Sequence, residues 1–277
     1  MEQVNSSIKV AELYYYPIKS CGGTVLITAE IGPRGIVHDR EFMVVDSANI
    51  FRTQRKDMRL AQVKPNLEGD VLKLRAPGIQ DLDINVTTSA PIGHSFVWDD
   101  DTESVDQGNL AAEWFSEFLK KDSRLVRMTD GFVREVNPKY SDLYNQVGYA
   151  DGYPLLLTRM ESLDDLNSRI VENNTQEKPV PMNRFRPNIV ILGGGEAFAE
   201  DNWTEVQIGN VRFFLEDCAR CPIPQTDQET ALRGKEPQRT LLSFRPKNRN
   251  GFPYFGKYLI HTELGILNIG DKVGIVA

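Results

Sequence analysis

Val10-Ala11-Glu12-Leu13-Tyr14-Tyr15 and Val25-Leu26-Ile27-Thr28-Ala29-Glu30-Ile31, joined by Tyr16-Pro17-Ile18-Lys19-Ser20-Cys21-Gly22-Gly23, set the pattern for the whole chain. Two runs rich in apolar, β-branched and aromatic residues flank a segment punctuated by proline and glycine, which reads as strand, turn, strand. Residues 42–46, 71–75 and 82–86 repeat that pattern between turns at Gly32-Pro33, Glu68-Gly69-Asp70 and Pro77-Gly78, and 94–98 is a further candidate strand. Asp106 reads as the N-cap of a helix over 107–120, with Leu110, Ala111, Trp114, Phe115, Phe118 and Leu119 on its core face.

A strand at 124–128 leads into a polar stretch, 137–149, which reads as loop. The character of the chain changes there, so the expected domains are 1–128 and 129–277. Beyond it, 154–157 is a short buried strand. Thr158 and Glu161 fit a capping box for a helix carrying Leu163, Leu166 and Ile170, and 173–181 reads as a mobile linker. Strands follow at 188–192, 205–208, 211–215, 258–261 and 272–276. Strands outnumber helices and few are joined by helical crossovers. The expected fold class is therefore mainly β with some α, in barrel-like or curled-sheet domains rather than a doubly wound sheet.

Composition narrows the class. The 277 residues are 40% hydrophobic and 26% charged, with net charge −7. Nucleic acid is disfavoured as a partner, and an anionic ligand needs a local basic pocket. The first nine residues contain no apolar leader, and runs such as 155–157 and 189–192 are too short to span a bilayer. Three cysteines do not make a disulfide framework. The expectation is a cytoplasmic protein with no membrane partner.

Two of those cysteines fall in Cys218-Ala219-Arg220-Cys221. A thiol beside a guanidinium is held partly as thiolate, the form that binds metals or attacks electrophiles. Zinc would need a second ligand pair and a thioredoxin-like pair a strand-to-helix junction, while two plainly buried cysteines remain an alternative. Cys221 has the better claim because Arg220 adjoins it. Lys19 and Ser20 in their glycine turn form an anion nest, against the commoner reading of a solvated turn lysine. Asp39-Arg40 reads as a structural pair. In Arg184-Phe185-Arg186-Pro187-Asn188 the proline biases Arg186 towards an extended backbone, and these side chains could clamp a planar, oxygen-rich ligand. Gly193-Gly194-Gly195 reads as a turn rather than a dinucleotide fingerprint. Asp151, ahead of Gly152-Tyr153-Pro154, is either turn chemistry or a proton donor or acceptor at the mouth of a site.

Together these fragments resemble the MOSC superfamily, named after the C-terminal domain of molybdenum cofactor sulfurase. The similar subgroup carries an N-terminal β-barrel domain and includes the mitochondrial amidoxime-reducing component and bacterial reductases that detoxify N-hydroxylated bases. The resemblance also runs through Asp39-Arg40-Glu41-Phe42-Met43-Val44-Val45, Thr53-Gln54-Arg55, Ser162-Leu163-Asp164-Asp165-Leu166-Asn167 and Thr226 with Thr230. It implies a C-terminal MOSC β-barrel, a molybdenum cofactor (molybdopterin) held between the two domains, and Cys221 as the thiolate on molybdenum. By the same resemblance Lys19, Ser20 and Arg40 contact the cofactor phosphate, Arg186 and Asn188 flank the pterin, Arg220 joins the cofactor-binding set, and Asp151 lies near the metal, assisting proton delivery. A soft thiolate suits molybdenum, and a phosphate in an acidic protein needs such cations. Gln225 departs from the threonine usual in relatives. No cysteine run has iron–sulfur spacing. The implied function is reduction of hydroxylamines, amidoximes or N-hydroxy bases with electrons from a separate ferredoxin- or cytochrome-type donor. A cofactor carrier, or a sulfur-transfer protein with a persulfide on Cys221, are the alternatives.

Overall fold

A computed structural model describes residues 7–136, 146–173 and 176–277. Most of the expected loop at 137–149, and residues 174 and 175 of the expected linker, lie outside the described residues.

The chain is mainly β, as expected, in four sheets with three α-helices among the described residues. The largest sheet has eight strands in the order Val273–Ile275, Glu205–Ile208, Val211–Ala219, Tyr254–His261, Leu155–Arg159, Ile189–Leu192, Lys9–Tyr15, Thr24–Leu26. The first strand of the chain thus pairs with Ile189–Leu192, and a bulge between Val10 and Glu12 re-aims it. Alternation turns Val10, Leu13 and Tyr15 inward, onto Leu157, Ile189, Phe213 and Leu259 in the main core. Among the described residues no sheet closes on itself as a full ladder. Curling nevertheless brings Val273 beside the first strand, where Val10 N donates to Asp271 O (2.9 Å) and Val273 N to Ile8 O (3.0 Å).

A second core gathers the earlier segments. Phe42–Val45, Arg124–Met128, Asp100–Asp106 and Ile92–Val97 form one sheet, and Lys64–Glu68, Val71–Arg75 and Leu82–Asn85 another. Helix Asn109–Leu119 buries Ala111, Trp114, Phe115, Phe118 and Leu119 against them, while Leu110, expected in the core, is exposed. Gly265–Asn268, Thr28–Gly32 and Gly35–Ile36 complete the fourth sheet.

Several local expectations fail for identifiable reasons. Residues 25–31 are two strands, because Thr24–Leu26 pairs with Lys9–Tyr15 and Thr28–Gly32 with Gly265–Asn268, leaving Ile27 exposed between sheets. Asp106 ends a strand; its carboxylate binds Arg124 and Gly108 N, and the helix starts after Gly108, whose φ of 90° suits glycine. The capping box does not form. Thr158 lies within a strand and donates to Met182 Sδ, while Glu161 accepts from Gly193 N at 2.6 Å. The far end of the expected mobile linker is tied down, since Asn167 exchanges two hydrogen bonds with the Val180 backbone.

His261 ends strand Tyr254–His261 fully buried, and desolvation pushes its pKa down to about 4. The unfolded chain, near 6.5, then binds more protons between the two values, so this residue's contribution to stability falls as pH falls through that window. The loss amounts to about 3 kcal/mol. Urea unfolding of the protein and of His261→Phe at pH 7.5 and pH 4.5 should show a steeper loss in the protein; equal slopes would remove His261 from the acid response.

Candidate functional site

Every expected site residue lies in a segment that enters or leaves a strand. Lys19 and Ser20 follow Lys9–Tyr15; Arg40 precedes Phe42–Val45; Asp151 precedes Leu155–Arg159; Arg186 and Asn188 precede Ile189–Leu192; Arg220 and Cys221 follow Val211–Ala219. The sheets bring all eight to one solvent-open cleft. Five cations line it (Lys19, Arg40, Arg55, Arg186 and Arg220) against a single carboxylate, Asp151. In a chain of net charge −7 this is a concentrated basic pocket.

The backbone is forced where it matters. Ser20, Arg40 and Arg186 all have left-handed φ, at 67°, 48° and 57°. Each such non-glycine residue costs about 1–3 kcal/mol and persists only where the surroundings hold it. Gln54 Nε2 donates to Ser20 O (2.6 Å), Arg40 N to Tyr16 O (2.7 Å), and Tyr149 N to Arg40 O (2.7 Å). That last contact needs Gly148, where a Cβ would stand 2.7 Å from Arg40 O. Arg186 is therefore not in the extended conformation expected before Pro187.

Behind the cleft, Asp39 is buried and accepts from Tyr16 N (2.8 Å), Arg40 Nη1 (2.5 Å) and Asn188 Nδ2 (3.1 Å). Asn188 also accepts from Arg40 Nη1 and Leu156 N, so it is a brace as much as a lining residue. Arg40 and Arg186 both stack on the buried Tyr16 ring, 4.3 and 4.4 Å from its centroid. Arg186 donates to Cys21 O at 2.5 Å. Burial pushes the Cys21 thiol up to about 12, which keeps it protonated. Arg184 turns away, to Pro224 O, Gln225 O and Asp227, and does not line the cleft. Gln225 points elsewhere too, its amide towards Lys235 O.

The sulfur end differs from the sequence expectation. Arg220, expected to poise Cys221, reaches Cys218 Sγ (3.0 Å) and Phe185 O (2.6 Å) instead. Cys218 is fully buried; Cys221 is half-buried and faces the cleft. The cation on Cys221 is Arg55, with Nη2 3.3 Å from Sγ. The same guanidinium binds Asp151 Oδ2 (2.9 Å), whose other oxygen takes Lys19 Nζ (2.5 Å) and Trp98 Nε1 (3.2 Å). Burial favours the neutral acid, but Lys19 and Arg55 outweigh it and hold Asp151 well below the usual carboxylate range. Burial likewise lowers Lys19, which Asp151 partly restores. Arg55 carries no role in the sequence reading. Only its presence in the Thr53-Gln54-Arg55 fragment hinted at it, because its contact with Cys221 spans 166 residues.

Residues 7–122 match the MOSC N-terminal beta barrel domain and residues 145–274 the MOSC domain. The chain is 36% identical to mitochondrial amidoxime reducing component 2 of Bos taurus, over 95% of this chain and 82% of that protein. It is 33% identical to mitochondrial amidoxime-reducing component 1 of Homo sapiens, over the same shares. Molybdenum cofactor sulfurase of Danio rerio is 30% identical over 97% of this chain, which spans 34% of that protein.

Proposed function

The chain belongs to the family that joins a MOSC N-terminal beta barrel domain to a MOSC domain, and from that premise we propose that it is a molybdenum-cofactor-dependent reductase of N-hydroxylated compounds. The observation that carries this is a half-buried thiol, Cys221, opening into a cleft lined by five cations, with one of them on the sulfur. The cleft joins segments 1–128 and 129–277, which we take as the two domains, as a shared ligand would require.

The residues present fit the cofactor. A single carboxylate cannot neutralise the cations around it, and Arg220 Nε, buried in the wall, has no hydrogen-bond partner in the protein. Lys19, Ser20 and Arg40 would hold the phosphate, Arg186, Asn188 and Arg220 the pterin, and Cys221 Sγ the metal. Bound there, the cofactor supplies a two-electron couple. The overall change is R–NHOH plus two electrons and two protons to R–NH2 plus water, breaking the N–O bond. Asp151 enters that reaction ionised: it fixes Lys19 and Arg55 and, held below the usual carboxylate range, has no proton of its own to donate. Arg55, shared between Asp151 and Cys221, positions both.

Amidoxime reduction is named for the relatives; the substrates here are proposed to be hydroxylamines, amidoximes and N-hydroxy bases, with a separate ferredoxin- or cytochrome-type donor. The three unpaired cysteines suit a reducing, cytoplasmic setting. No helix among the described residues is long and apolar enough to cross a membrane. The test is molybdenum analysis of protein from a cofactor-competent host, followed by reduction of benzamidoxime and hydroxylamine with a chemical donor. Turnover supports the reductase. Release of cofactor without turnover supports a carrier, and cyanide-releasable sulfur without pterin supports sulfur transfer.

A further inference from the structure

Trp98 is the exposed member of three tryptophans, at 45% accessibility, whereas Trp114 and Trp203 are each at 6%. It occupies the turn between strands Ile92–Val97 and Asp100–Asp106 with φ 56°. A bulky residue in that left-handed region is an outlier where glycine or asparagine is the ordinary choice. Strained backbone beneath an exposed indole points to a use for the indole itself.

The ring is not loose. Phe51 packs on it at 4.9 Å between centroids, the Arg55 guanidinium carbon lies 4.8 Å from its centroid, and Nε1 donates to Asp151 Oδ1 at 3.2 Å. These contacts fix the indole beside Asp151 and Arg55, two residues that line the cleft, while the residue as a whole stays 45% exposed. Arg55 also reaches Cys221 Sγ, so ring and sulfur are two contacts of one guanidinium. A planar group lying against the exposed part of the indole thus has the Arg55 guanidinium between it and the thiol. Fixed, half-exposed aromatic faces bind planar groups at low entropic cost.

Resting on the reductase reading above, we propose that Trp98 is a specificity-determining residue: its indole is the platform for the planar aromatic part of the substrate. The N–OH group then extends past Arg55 towards Cys221. The substrate class favoured is aryl amidoximes and N-hydroxylated heteroaromatic bases over small aliphatic hydroxylamines. The competing role is structural, with Trp98 merely donating its N–H to Asp151. Trp98→Phe separates the two, because it keeps a ring and loses the donor.

Two measurements on the cofactor-loaded protein test this. Titration with benzamidoxime should quench tryptophan emission saturably, and that component should vanish in Trp98→Phe and Trp98→Ala. The ratio of kcat/KM for benzamidoxime to that for hydroxylamine should fall about tenfold in Trp98→Ala but less than about threefold in Trp98→Phe, in keeping with loss of one stacked aromatic pair. The platform is overturned by absence of saturable quenching, by an unchanged ratio in Trp98→Ala, or by equal losses in both variants. Saturable quenching in a protein that reduces neither compound sinks the reductase reading and leaves the platform standing.

Discussion

Replacing Cys221 with alanine yields a folded protein that reduces benzamidoxime more than about 100-fold more slowly. The magnitude follows from metal sites in general, where removing even an outer partner of a ligand costs about 10–100-fold, and Cys221 is the proposed ligand itself. The fold should hardly notice. Cys221 lies beyond the end of strand Val211–Ala219, half-buried, and its sulfur's hydrogen-bond partner is the Arg55 side chain, which keeps Asp151 when the sulfur goes. Substitutions outside the core and its networks usually stay within about 0.5 kcal/mol. Unfolding by urea and steady-state rates together check this. Undiminished turnover in a variant of unchanged stability would refute the assignment of Cys221, and a large loss of stability would show that the sulfur supports the fold.

Asp39→Ala is expected to be damaging in the opposite sense, lowering stability by about 3 kcal/mol. Asp39 is 5% exposed and answers three donors: the backbone of Tyr16, the Arg40 guanidinium and the Asn188 amide. Removing one partner of a buried ion pair typically costs about 3–5 kcal/mol because the remaining charge is left uncompensated. Arg40, 13% exposed at its side chain, has some access to solvent, which places the expectation at the lower end. Asp39→Asn keeps an acceptor for Tyr16 N and should lose less. Because Arg40 and Asn188 both line the cleft, cofactor retention should fall in Asp39→Ala along with stability. A urea midpoint unchanged for Asp39→Ala would show that the carboxylate is dispensable to the brace.

Much of the fold is legible in local sequence. Residues 71–75 and 124–128 emerge as the strands Val71–Arg75 and Arg124–Met128, and the aromatic face of the first helix is buried apart from Leu110. The elements that sequence reading passes over have weak local signals. Strand Asp100–Asp106 reads Asp-Asp-Thr-Glu-Ser-Val-Asp, and its extended conformation comes from pairing on both sides, with Ile92–Val97 and Arg124–Met128. Strand Lys64–Glu68 contains a proline and is set by its partner Val71–Arg75. Helix Gln238–Phe244 has seven residues, too short a window for periodicity to declare it. The eight expected site residues do share one cleft, but which side chain faces which was not legible. Arg220 is adjacent to Cys221 in the chain and serves Cys218, whereas Arg55 serves Cys221.

By itself the sequence determined the β-rich class, the two thiols flanking Ala219-Arg220 and the cations available for an anionic ligand. These are properties of residue type and short spacing. Tertiary structure alone decided that the first strand joins the sheet of the later residues, that Arg55 rather than Arg220 touches the cleft sulfur, and that Trp98 stands beside Asp151. Those outcomes depend on strand pairing and side-chain direction between residues far apart in the chain, and no local preference encodes a direction in space.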